Sequence, residues 1–180
     1  MFFLKIIEHK IKKLNNNVMS SEMPCEGSSK PPYTEPTVKT LATKRVNWNS
    51  YFMNIAEVVK TRSPDIKTQV GAVLVSLRDN RIISTGYNSV CAGMDDKTID
   101  WTDRESVGDI VIHAETNAIL YAQSKFEDAI LYCTLSPCKD CIKLLSATKI
   151  RCIVYKNKYR DFERAQKLCE YFKINLQQIN

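Results

Sequence analysis

From residue 46 onward, apolar positions follow two alternating periods. Tyr51, Phe52, Ile55, Val58 and Val59 recur every three to four residues, the spacing of one helix face. Asn47 or Asn49 offers a cap before them, and Ser63-Pro64-Asp65 breaks the pattern, so a helix is predicted to about residue 61. The run Gln69-Val70-Gly71-Ala72-Val73-Leu74-Val75 is largely apolar and predicts a buried strand. A turn at Arg78-Asp79-Asn80 and a second strand over 81–88 make a hairpin. Helical spacing returns over 113–124, strand character over 129–134, and Pro137 suits the first turn of a helix to about residue 147. Residues 151–155 predict a strand, 161–173 a helix with Phe162, Ala165, Leu168 and Cys169 inward, and 174–179 a last short strand. Alternating β and α elements after a hairpin predict an α/β fold with a mixed sheet covered by helices on both faces.

The first 45 residues do not continue this order. Residues 1–18 are apolar at Phe3, Leu4, Ile7, Ile11 and Leu14, with lysines opposite. A membrane-surface or targeting helix would have that pattern. Lys5 and Glu8 interrupt a signal-peptide core, and a presequence would need Arg and Ser, which are absent there. A dispensable extension, with Met19 as an alternative start, is the plainer expectation. Residues 20–45 are rich in Ser, Pro, Thr, Glu and Lys and bury too little apolar area to offset ordering entropy. The expected division is a basic, disordered extension over 1–45 and one folded domain over 46–180.

Charge sharpens that division. The net charge is +6, but residues 1–45 hold eight basic and four acidic groups. The remaining 18 basic and 16 acidic groups nearly cancel. A domain so balanced lacks the field expected of a protein tracking long nucleic acid, and a small anionic substrate suits it better. Neither a stable nucleic-acid partner nor a membrane partner is expected. Seven cysteines, an odd number, argue against a full disulfide framework and for a reducing compartment, the cytoplasm.

The candidate chemistry lies in two separated motifs, His113-Ala114-Glu115 and Pro137-Cys138-Lys139-Asp140-Cys141. One imidazole and two thiolates make three zinc ligands and leave a tetrahedral ion one position for water. Cys138 and Cys141, three apart at a helix start, share a face where amides and the dipole favour thiolate. A structural zinc site would leave Glu115 without a role, and a redox Cys-x-x-Cys pair would leave both His113 and Glu115 without one. Only a catalytic site uses all four. Residues 89–112, with Trp101, Asp103 and Arg104, show no period, and so long a connection is more often functional than idle.

H-x-E with P-C-x-x-C is the established signature of zinc nucleobase deaminases. With Tyr51-Phe52-Met53, Arg62-Ser63, Gln69-Val70-Gly71-Ala72, Gly86-Tyr87-Asn88, Trp101, the 113–119 block, Tyr155 and Tyr159, the chain resembles the deoxycytidylate (dCMP) deaminase family over roughly residues 48–175. The resemblance implies a cytidine-deaminase-like three-layer α/β/α fold with about five strands. It implies hydrolysis of dCMP to dUMP and ammonia, supplying dUMP for thymidylate synthesis, with one catalytic Zn²⁺ per subunit on His113, Cys138 and Cys141. Water adds to C4 of cytosine, and Glu115 takes its proton, passes one to N3 and later protonates the amine. Asn88 would hold the sugar 3′-hydroxyl, and the backbone around Ala72 and the Ala114 amide would orient the base. Tyr159 would meet the phosphate, with Arg62, Lys67 and Lys158 as further candidates.

Alternatives share the motifs. A tRNA adenosine deaminase usually has a short connection where this chain has 89–112. A deaminase that also accepts dCTP, and an inactive zinc scaffold, stay open as well. Family members assemble as homo-oligomers, commonly hexamers, and respond to dCTP and dTTP, with Mg²⁺ entering only beside a triphosphate effector. Where they often carry Gly after Gly-Tyr-Asn, this chain has Ser89, whose Cβ would resist a positive φ and alter that response.

Overall fold

The computed structural model describes residues 45–123 and 126–179, and the expectations for residues 1–44 fall outside them. Helix α1 (Trp48–Lys60) starts where Asn47 Oδ1 accepts the Ser50 amide at 2.8 Å, satisfying one donor at the helix end. Its buried residues are Phe52, Met53 and Ala56. Tyr51 and Val58, expected inward, are 45% and 69% exposed. The helix is turned by a close approach: a Cβ on Gly71 would overlap the Ala56 carbonyl and the Lys60 amide, so backbone meets backbone there.

Gly71 opens β1 (Gly71–Ser76), which pairs antiparallel with β2 (Ile82–Tyr87) as the expected hairpin. The chain continues through β3 (Ser89–Val90), α2 (Arg104–Ile110), β4 (Val111–Ile112), α3 (Ala114–Leu120), β5 (Ala129–Leu135), α4 (Lys139–Ser146), β6 (Ile150–Asn157), α5 (Phe162–Phe172) and β7 (Asn175–Gln178). The five-stranded sheet has the order β2-β1-β5-β6-β7. The first two pairings are antiparallel and the last two parallel, which makes the sheet mixed.

Side-chain alternation along β1 divides the core. Val73 and Val75 pack with Phe52, Met53, Ala56 and Tyr132 under α1. Ala72 and Leu74 pack with residues of α3, α4 and α5, among them Ala118, Ile142, Leu145 and Ala165. Covering both faces explains why β1 is apolar almost throughout. The layers are therefore one helix, the sheet and three helices, the α/β fold expected. Among the described residues, no helix is long and apolar enough to cross a membrane.

The connection 89–112 corrects the sequence reading most. It holds the β3–β4 ladder, a 3₁₀ turn at Asp96–Thr98 and α2. These pieces are too short for an apolar period, and the two helical ones are started by caps. Asp103 accepts the Glu105 and Ser106 amides to start the seven-residue α2, and Asp95 accepts the Lys97 amide. Two helix boundaries also differ. Helix α3 ends at Leu120, with Tyr121 as its C-cap, short of the predicted end. Cys138 occupies the N-cap of α4, so Pro137 precedes the cap and is not in the first turn.

Candidate active site

Two helix starts converge. Helix α3 begins after His113 at the end of β4, and α4 begins after Cys138, beyond β5. Gly86 in β2 lets α3 settle onto the sheet, since a Cβ there would overlap the Ala114 carbonyl and the Ala118 amide. Asn117 Nδ2 donates to Tyr87 O at 2.8 Å and Ser89 Oγ at 3.1 Å, which ties the same helix to the strand end. Ser89 sits in β3 and is not among the residues with positive φ, so its Cβ is accommodated without strain.

This packing brings His113 Nδ1 to 3.2 Å from Cys141 Sγ and 3.6 Å from Cys138 Sγ. Among the described residues, these three form a group with ligand atoms within 4.8 Å of one another. Zinc bonds of about 2.0–2.1 Å to nitrogen and about 2.3 Å to sulfur, at a tetrahedral angle, would place N and S about 3.6 Å apart. The donor set and its spacing therefore fit zinc. The two thiols depart from their ordinary range in opposite directions. Hydrogen bonds from Cys141 first, and from His113, hold the Cys138 thiol far below its ordinary range. The Cys141 thiol is pushed up by its bond to Cys138 and by burial. A divalent cation supplies what is needed to ionise both thiols.

Glu115 lies outside the ligand group, on the first turn of α3, and is 4% exposed. Burial pushes its carboxyl up to about 7, only partly opposed by the nearby His113. The His113 imidazole is itself raised above its ordinary value, chiefly by its hydrogen bond with Cys138.

A cavity of about 350 Å³ opens onto His113, Glu115 and Cys138. Asn88 and Ala114 line it. The Asn88 amide also works for the fold: Oδ1 accepts the Val70 amide at 2.7 Å and Nδ2 donates to Thr68 O at 2.8 Å. One amide hydrogen and one oxygen lone pair remain for a ligand. Ala72 is fully buried in β1 under α3 and does not line the cavity, whereas Val70, two residues earlier, does. Tyr159 lines it, and its backbone amide donates to Ser136 Oγ at 2.8 Å.

The cationic lining differs from that expected. Arg62, Lys67 and Lys158 do not line the cavity, and Lys158 Nζ instead lies 4.7 Å from the Phe162 ring centroid. Arg104 and Arg160 do line it, with Asp65 beside Arg104. The sequence marked Arg104 only as a member of a long connection and Asp65 only as a helix breaker. Arg160, next to Tyr159, carried no signal of its own.

The sequence profile of the cytidine and deoxycytidylate deaminase zinc-binding region matches residues 46–157. A probable deoxycytidylate deaminase of Caenorhabditis elegans is 37% identical over 136 residues, covering 71% of this chain and 68% of that one. The deoxycytidylate deaminase of Homo sapiens is 32% identical over 127 residues, 67% of this chain and 71% of that one. Among solved structures, the apo dCMP deaminase of cyanophage S-TIM5 superposes with a TM-score of 0.58 at 25% identity, over 73% of this chain and 96% of that one. Sequence, fold and the His113–Cys138–Cys141 group thus agree, and the chain belongs to the cytidine and deoxycytidylate deaminase family of zinc enzymes.

Proposed function

We propose that this chain hydrolyses dCMP to dUMP and ammonia, with residues 46–180 as the catalytic unit. The observation that carries the reading is Glu115, a buried carboxyl that shares one cavity with His113 and Cys138 but is not one of the ligand group. The relatives named deoxycytidylate deaminase support the choice of substrate.

His113, Cys138 and Cys141 would hold zinc, which when bound supplies a Lewis acid that makes water a nucleophile near neutral pH. Glu115 takes a proton from the attacking water and delivers it to N3 of the ring, then takes the remaining proton from the new C4 hydroxyl and passes it to the departing amine. The C4–O bond forms, the C4–N4 bond breaks, and ammonia leaves. A buried carboxyl held beside the ligand group suits this double duty, because one group can take a proton as base and return it as acid. Asn88 and Ala114, on the same cavity, orient sugar and base.

The test is ammonia release from dCMP, dCTP, deoxycytidine and a tRNA anticodon stem, measured side by side on the zinc-loaded chain. Preference for dCMP is expected. No release from dCMP, or faster reaction with dCTP or the tRNA stem, would overturn the reading.

A further inference from the structure

Asp65 is 2% exposed and has no part in the chemistry above. Its Oδ1 accepts the Lys67 amide at 3.1 Å, the Thr68 amide at 3.2 Å and Arg104 Nη1 at 3.0 Å, while Oδ2 accepts Arg104 Nη2 at 2.9 Å. The pairing is a bidentate fork, closed across 39 residues of sequence. Its two ends differ in surroundings. The Asp65 side chain is 3% exposed and the Arg104 side chain 42%. The carboxylate is thus the buried anchor and the guanidinium the presented end.

The fork uses one hydrogen on each Nη. It leaves one on each Nη and one on Nε, in a plane that the two bonds fix. Arg104 borders the cavity that His113 and Glu115 also line, and Tyr159 and Arg160 line it too. The Arg160 guanidinium lies over the Tyr159 ring, 5.4 Å from its centroid. The fork also staples the 89–112 connection to the loop before β1. A staple alone needs no cation at a cavity wall, and well-packed apolar residues would close two loops as well as a buried ion pair does.

We propose that Asp65 is a positioning residue: it fixes the Arg104 guanidinium so that its free donors grip the 5′-phosphate of the nucleotide, with Arg160 and the Tyr159 hydroxyl completing that end of the cavity. The proposal rests on the nucleotide substrate put forward above. Planar, pre-aimed N–H donors suit a carboxylate or a phosphate, and of dCMP and deoxycytidine only dCMP carries such an anion.

The experiment compares the zinc-loaded full chain with Arg104→Gln, Arg104→Lys and Asp65→Asn. It measures kcat and KM for dCMP and deoxycytidine, and calorimetric binding of dUMP and inorganic phosphate. Arg104→Gln should raise KM for dCMP about 10- to 100-fold, the scale of a lost charge-assisted contact, while kcat/KM for deoxycytidine stays near wild type. Lysine should not restore KM, since it cannot be held by a fork. Asp65→Asn should show the same nucleotide-selective loss with Arg104 intact, and the double variant should be no worse than Arg104→Gln. Should Asp65→Asn fail to fold, the two Arg104 variants decide. An unchanged KM for dCMP in Arg104→Gln, or equal losses with dCMP and deoxycytidine, overturns the proposal and leaves only a staple. Arg104-dependent binding of dUMP and phosphate without any deamination of dCMP would sink the proposed reaction and uphold the anion site.

Discussion

Gly86 and Gly71 allow one steric argument to be tested on both faces of the sheet. A Cβ at Gly86 would overlap the Ala114 carbonyl and the Ala118 amide, and one at Gly71 the Ala56 carbonyl and the Lys60 amide. Neither glycine has a positive φ, so alanine costs no backbone strain and the whole effect is collision. Restoring ordinary contact requires a retreat on the order of 1 Å. Overpacking of this kind costs about 1–3 kcal/mol, or roughly 3–10 °C in Tm for a domain of this size. The functional consequences should differ. Gly86→Ala displaces α3, which carries Glu115 and follows directly from His113, and misplacement by about 1 Å costs on the order of 10²-fold in rate. Gly71→Ala displaces α1 on the opposite face, away from the ligand group. Urea unfolding, zinc content and ammonia release per folded molecule check both variants. Equal destabilisation with a rate loss only in Gly86→Ala is expected. Wild-type turnover in Gly86→Ala, or the same rate loss in both, would refute the reasoning.

Glu115→Gln should keep zinc at wild-type content and lose at least about 10²-fold of turnover, as read by metal analysis beside the ammonia assay. Cys141→Ser should lose tightly held zinc, with a lower melting temperature and no turnover, while Cys91→Ser, at an exposed thiol, should keep all three. Tyr132 donates to Asn49 Oδ1 at 2.9 Å, and burial pushes its phenol up to about 12. The folded state then holds the phenol proton where the unfolded chain, with an ordinary value near 10, has released it, so stability should fall as pH rises from 10 towards 12. Tyr132→Phe should lose about 1 kcal/mol near neutral pH and make the alkaline decline shallower, the Cys152 and Cys169 thiols, also raised by burial, supplying the rest, as measured by urea melts across the range.

The order of elements, the mixed sheet and the pairing of His113 with Cys138 and Cys141 were legible in the linear chain. A strand or helix must bury its own apolar face, which is local information, whereas His113 and Cys138 are 25 positions apart and were joined through the H-x-E and P-C-x-x-C signature. The pieces of the 89–112 connection were not legible, because a seven-residue helix started by an Asp cap and two-residue strands are too short to show a period. Nor was the rotation of α1, which depends on how closely Ala56 can approach Gly71. The cavity wall depended still more on packing. Asp65 and Arg104 are 39 positions apart and belong to stretches without periodicity, so nothing local relates them. Their meeting follows from where the β1 entry loop and α2 come to lie around the same cavity, and so tertiary packing alone decides which cations face the ligand.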